Sequence, residues 1–375
     1  MAQRVRCPIV RPTKKFAKPT SGEGEAAFPQ LRLVSLLAVS VRLIIDVAFG
    51  NYVGKGTGER ALMKQILDRL PAQPFLFLLD AGLYALELVW LIDDRQQVFL
   101  VKVPATVKLK RLKSYPDGSY LALLSGKIKD PEEPKTQQGR THWKKVSMVV
   151  RIIDYAIPGF RPARLMTNIL TPDIIARDLA VHYPQRWDIE IAYDEIKTHQ
   201  CATLSGQSPT TFRSKRPDLV EQELYATLIM YNLVRGLIVQ AATAHDKDPR
   251  FISFLEALHH IIDVAPLITI LSGPQRIPPF TYLLALIADC DIDRPRRHRL
   301  NPRVVKVTRS KFKRKRQEHQ STYRDLEKEL EIIVQTPLTS QALVGPLNQP
   351  APPNHLIALL IIGRGSLLGI KQLNN

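Results

Sequence analysis

Hydrophobic residues along this chain switch between continuous runs, strict alternation and a three-to-four spacing, and the switches mark its elements. The stretch LRLVSLLAVSVRLIIDVAFG (31–50) is dense in Val, Leu and Ile with a break near Ser40. That predicts two consecutive strands in a hairpin. GNYVGKGTGE reads as a loop; its glycines lack the spacing of a phosphate-binding P-loop, which argues against a nucleotide site. GERALMKQILDRL sets Leu62, Ile66 and Leu70 on one face, as in an amphipathic helix. PFLFLLD is a short unbroken apolar run ending at Asp80, the pattern of a buried central strand with a polar residue at its carboxyl end. YALELVWLI predicts a helix. Strand, loop and helix in this order imply an α/β core.

From Gln97 to Leu165 apolar and polar residues alternate, with punctuation such as YPDGS and a polar loop at IKDPEEPKTQQGR. This predicts an antiparallel β insertion. Helical character returns in TPDIIARDLAVHYPQRWDIEIAYDEIKTH, where Thr171 reads as an N-cap, Pro172 as the first helical residue, and Pro184 as a kink or a division. PDLVEQELYATLIMYNLVRGLIVQAATAH and PRFISFLEALHHIIDVAP predict two more helices. His259 and His260 are neighbours about 100° apart on the second, so they make poor joint ligands. The expected divisions are a poorly ordered lead-in (1–30), a first part of the core (31–96), the β-rich insertion (97–165), a second part of the core with C-terminal helices (166–293), and a basic segment with a short charged helix and a loosely ordered tail (294–375).

Composition adds a partner. Over 375 residues, Lys plus Arg number 53 and Asp plus Glu 35, a formal net charge of +18. Such a surface favours polyanions, nucleic acid first among them. Twelve Lys or Arg and no acid lie between Arg294 and Arg316; a nucleic-acid arm and a solvated tail both fit that run. Cys7, Cys201 and Cys290 are scattered and form no CxxC pair, which excludes a zinc ribbon and leaves no disulfide framework. MAQRVRCPIVRPTKKFAKP has no signal-peptide core, and the first long apolar stretch carries Arg32, Arg42 and Asp46. The expectation is a soluble, cytoplasmic protein with no membrane partner.

One short stretch concentrates chemistry: YPQRWDIEIAYDEIK, Tyr183 to Lys197. On a helix, Arg186, Glu190 and Lys197 share a stripe that Trp187 joins. Two cations around one acid depart from the usual acid–base ladder. Spacing alone leaves two readings open. One is a surface helix with a fortuitous order of charges. The other is a carboxylate set among cations to hold a metal beside a phosphate backbone.

Tyr183, Arg186, Glu190 and Lys197 match a Tyr-x-x-Arg-x-x-x-Glu-x6-Lys signature, and DAGLY at Asp80 matches an Asp-x-Gly-x-Tyr block. With GKGTGERAL and NPRVVK, these residues give a chain that resembles, over roughly residues 20–310, the insertion-sequence DDE transposases of the group named after insertion sequence four. The resemblance implies a mixed α/β fold: an RNase H-like core interrupted by a β insertion, with C-terminal helices. It implies DNA strand cleavage and strand transfer through two Mg²⁺ (or Mn²⁺) ions, roughly 3.5–4 Å apart. Asp80 and Glu190 would be catalytic and metal-binding; Tyr183, Arg186 and Lys197 would bind DNA at its phosphates and backbone. The partner implied is double-stranded DNA, as transposon ends and target; a homodimer is left open.

The same resemblance calls for a third carboxylate, on the first strand of the core, and no such block is present. Asp46 in RLIIDVAFG is the substitute, but only 33 residues separate it from Asp80, which places it on the third strand instead. The expectation is an amino-terminally shortened transposase that starts after its first strand, leaves backbone groups of the sheet unpaired, and is defective in strand transfer. The alternative is a non-catalytic DNA-binding protein that interferes with full-length copies.

Overall fold

The computed structural model describes residues 30–292, apart from 72, 131–138, 140, 159, 206–211, 213 and 215, and outside that span residues 3–6, 20–21, 24–25, 326–334 and 359–364. Its strands are β1 (Gln3–Arg6), β2 (Thr20–Ser21), β3 (Gly24–Glu25), β4 (Gln30–Ala38), β5 (Leu43–Asn51), β6 (Leu76–Leu79), β7 (Val98–Val103), β8 (Lys110–Ser114), β9 (Tyr120–Lys129), β10 (Trp143–Ala156), β11 (Ala163–Thr167), β12 (Glu331–Ile332) and β13 (Leu359–Arg364). Its helices are α1 (Glu59–Leu67), α2 (Leu86–Asp94), α3 (Ala176–His182), α4 (Asp188–Asp194), α5 (Cys201–Ser205), α6 (Pro217–Ala244), α7 (Phe254–Ile270), α8 (Ile277–Ala288) and α9 (Leu326–Glu329).

All strands but the small β2–β3 pair join one mixed sheet in the order β1-β4-β13-β6-β7-β11-β10-β9-β8, with β5 on the far side of β4 and β12 on β10. The unbroken apolar runs predicted as central strands are buried on both faces. In β6, Leu76 and Leu78 face one core while Phe77 and Leu79 face the other. In β4, Leu31, Leu33 and Leu37 divide likewise from Val34 and Leu36. This is the strand period of two acting on a sheet covered on both sides. Leu62, Met63 and Ile66 of α1 and Leu88, Val89 and Ile92 of α2 close one face. Residues of α3, α4 and α6–α8 close the other.

The predicted hairpin is β4–β5, antiparallel and irregular at Leu36/Leu37. The predicted β insertion begins later than expected, because β7 runs parallel to β6 and is therefore a core strand. The extension beyond it is antiparallel, β11-β10-β9-β8. The largest departure concerns the tail. Residues 359–364, expected to be loosely ordered, form β13 in the middle of the sheet, antiparallel to β4 and parallel to β6. The backbone groups of β4 and β6 expected to lack partners are thus paired, from Val34 to Ala38 and from Leu76 to Leu79. The basic run 294–316 lies outside the described residues.

The long helical segment begins at Ala176, not after Thr171. Thr171 instead bonds Asp173 in a local turn. The cap comes from elsewhere in the chain. Asp117, in the β8–β9 turn, accepts the Ala176 N–H at 2.8 Å and pairs with the fully buried Arg151. Arg151 in turn donates to the carbonyls of Thr171 and Ile174. Gly118 makes that turn possible: its φ is +84° and a Cβ there would meet Ile332 Cγ2 at 2.8 Å. Burial pushes the Asp117 carboxyl up, but bonds from Ser119 and Ala176 and the Arg151 charge outweigh it and hold the pKa below the usual range. Asp117→Ala should therefore lower stability by about 2 kcal/mol, read as a shift of the urea midpoint at neutral pH; an unchanged midpoint would remove the cap from the account.

Candidate active site

Asp80 follows the last residue of β6, and its Oδ1 accepts the Ala81 N–H at 2.8 Å. Opposite it runs an unbroken helical rod, Ala176 to Ser205, whose pitch changes along its length. Pro184 has no N–H to give to a regular α turn, and Tyr183–Trp187 tighten into a 3-10 turn. After α4 the rod widens into a π turn at Glu195–Gln200. The four signature residues thus span three helical pitches.

Tyr183, expected at the DNA backbone, is buried and fastens the rod to the sheet: its hydroxyl donates to the Leu79 carbonyl at 2.9 Å. Burial raises the phenol pKa far above its ordinary value. Arg186 sits between the two candidate metal ligands. Its Nη1 is 3.7 Å from Asp80 Oδ1 and 3.7 Å from Glu190 Oε1. Its side chain is 9% exposed, against 26% for Asp80 and 34% for Glu190. Its Nε is buried without a hydrogen-bond partner. The guanidinium carbon lies 5.0 Å from the Trp187 ring centre and 6.0 Å from that of Tyr183. The site therefore brings Asp80, Arg186 and Glu190 together, with Tyr183 behind them.

Lys197 lies on the π turn, its Nζ 6.0 Å from the Tyr193 ring centre. Burial lowers its pKa to about 8, against an opposing pull from Asp194. Its positive charge is thus present below that value and lost as pH rises through it. Were Lys197 the phosphate contact that the resemblance implies, DNA affinity should fall several-fold between about pH 7 and pH 9, since that contact would weaken. Fluorescence anisotropy with a labelled duplex measures this. Lys197→Arg, which stays charged, should flatten the profile; an identical slope in both proteins removes Lys197 from the contact.

Asp46 lies on β5, level with Leu36 on β4, Ile362 on β13 and Leu79 on β6. Three strand spacings, about 14 Å, separate it from the Asp80 strand. Its carboxylate is held by Arg69 at 2.9 and 3.0 Å. Sequence spacing put Asp46 on a third strand; in the structure it lies on β5, bound to Arg69 and away from Asp80. Among the described residues no group of three or more His, Cys, Asp or Glu is placed to hold a metal.

A second set of residues was not singled out in the sequence. Asp188 and Glu195 bracket Glu190 on the rod and point inward. Arg42 Nη2 lies 3.2 Å from Asp188 Oδ1, and its Nη1 3.3 Å from Glu195 Oε1. Arg235 of α6 donates to both Glu195 oxygens. The Tyr231 hydroxyl lies 3.0 Å from Glu195 Oε2 and 3.0 Å from the Arg42 carbonyl. Arg42 adopts φ 56° in the β4–β5 turn, a left-handed conformation costly for a residue with a side chain. The signal available was Arg235 itself, a charge within the apolar run YNLVRGLIV. By length and composition α6 is apolar enough to cross a membrane, but it lays Val220, Leu224, Tyr231 and Ile238 into the core.

A mixed sheet with a carboxylate at the end of a central strand, facing a second on a flanking helix, fits an RNase H-like transposase core. The chain belongs to the transposase DDE domain family, whose model matches residues 8–233. It is 27% identical over 299 residues to "Transposase InsG for insertion sequence element IS4" of Escherichia coli (strain K12), a match covering 78% of this chain and 63% of that protein. The chain thus spans less than two thirds of that relative's length. The family generally uses divalent metal ions.

Proposed function

We propose that this chain is an insertion-sequence transposase acting on double-stranded DNA, with Asp80 and Glu190 at the site of metal-dependent strand cleavage and strand transfer. The observation that carries this reading is one cationic nitrogen equidistant from both carboxylates at the end of β6. Two hard oxygen donors around one cation position fit Mg²⁺ or Mn²⁺, and Mg²⁺ commonly takes one or two protein carboxylates and fills its shell with water and phosphate oxygens. Bound there, such ions would activate water or a 3′-hydroxyl and stabilise the leaving oxygen. The chain's own residues do the positioning. Tyr183 fixes the rod against β6, the ion network around Glu195 fixes the turn of helix carrying Glu190, and Lys197 offers a cation for a backbone phosphate. The net charge of +18 supports a polyanionic partner and a nucleoid location in the cytoplasm.

One observation favours a second reading, a protein that binds DNA and does not cut it. Asp46, on the outer strand β5, is paired to Arg69, so among the described residues the carboxylates that converge here are two. Incubating the protein with supercoiled DNA bearing the element's ends, with Mg²⁺ or with Mn²⁺, separates the two. Nicked and joined products that need the ion support the transposase. Tight, salt-sensitive binding with no product under either ion supports the second reading and overturns the first.

A further inference from the structure

Arg186 is placed oddly for a residue meant to greet DNA. Its side chain is about nine-tenths buried, while the two carboxylates beside it are more open to solvent. Both ion pairs, at 3.7 Å, are too long for hydrogen bonds, so the two carboxylates hold the guanidinium by charge. The buried Nε has no hydrogen-bond partner, which leaves part of the desolvation penalty uncompensated. The rings of Trp187 and Tyr183 flank the group, 5.0 and 6.0 Å from ring centre to guanidinium carbon.

We infer that Arg186 is a built-in counter-cation for the Asp80–Glu190 pair, holding the position a divalent ion would take until a DNA phosphate draws it away. This inference rests on the metal-site reading of Asp80 and Glu190 given above. Without DNA, two facing carboxylates would repel, and the guanidinium neutralises them. An ion entering the same position meets a like charge. A phosphate outside the rod offers the guanidinium bidentate hydrogen bonds that neither carboxylate gives it. DNA and metal therefore bind with positive coupling, and each must raise the affinity of the other by the same factor. Arg186 is in this sense a positioning residue that keeps the site closed to metal away from DNA.

The test is calorimetric titration of the full chain with Mn²⁺, alone and with a short duplex, using duplex with Asp80→Asn protein as the blank for ions held by DNA. Wild type should bind Mn²⁺ about tenfold or more tighter with the duplex present, a typical coupling. Arg186→Gln should bind it that tightly without the duplex and gain little from it. Arg186→Lys keeps the charge and should remain duplex-dependent, which distinguishes displacement from loss of folding. Trp187 emission, read in a Trp90→Phe, Trp143→Phe background, should change with Mn²⁺ in wild type only when the duplex is present. If wild type and Arg186→Gln bind Mn²⁺ equally, with or without duplex, and Asp80→Asn abolishes that binding, the metal site stands and the counter-cation role falls. If no form binds Mn²⁺ under any condition, the metal-site reading falls and takes this inference with it.

Discussion

Arg235→Met should lower the stability of this protein by about 3–5 kcal/mol, because it strands a buried carboxylate. Arg235 is 0% exposed, and it donates to both oxygens of Glu195, which Arg42 and Tyr231 also touch. Removing it leaves Glu195 with one cation, 3.3 Å away, inside an apolar setting. Domains of ordinary stability have about 5–15 kcal/mol in total, so the loss should be plain in a urea melt at neutral pH. The double variant Arg235→Met, Glu195→Leu removes both charges, and it should be more stable than the single one. Since Asp188 and Glu195 bracket Glu190, the single variant should also disorder the site. A single variant within about 1 kcal/mol of wild type would show that water reaches Glu195 and that the network does not lock the rod.

On the proposed metal-site reading, Asp80→Asn and Glu190→Gln should each lower metal-stimulated DNA nicking by about a thousandfold or more, since each would remove charge that holds the ion, at a cost of several kcal/mol at the transition state. Each change also removes a negative charge beside the DNA path. Binding to an uncut duplex at low salt should therefore be unchanged or tighter, and the opposite movement of the two readouts distinguishes a lost ligand from a lost fold. Because Arg186 lies between the two acids, either variant also frees it from one ion pair, which works in the same direction for DNA affinity. A variant that nicks at the wild-type rate with Mg²⁺ would take that carboxylate out of the site.

Much of this arrangement can be read from spacing. The hairpin at 30–51, the buried run ending at Asp80, and α1 and α2 show their periods within a few residues. The signature around Glu190 is local too, and its order points to the site. Features set by distant partners are hidden. The start of α3 is decided by Asp117, about sixty residues earlier in the chain. Arg186 reads as a surface cation until the 3-10 turn at Pro184 aims it inward. Asp188 and Glu195 look like ordinary helix charges, and only the approach of Arg42 and Arg235 makes them interior. LIALLIIG (356–363) is an unbroken apolar run like PFLFLLD, but its place between β4 and β6 follows only from its pairing with them.

That pairing bears on how the chain is made. A ribosome delivers Leu79 of β6 280 residues before Leu359 of β13, so the nascent sheet waits with its central gap open. Two rows of backbone donors and acceptors remain exposed through that interval, edges on which other chains can dock. The sheet can therefore close only once β13 has been made.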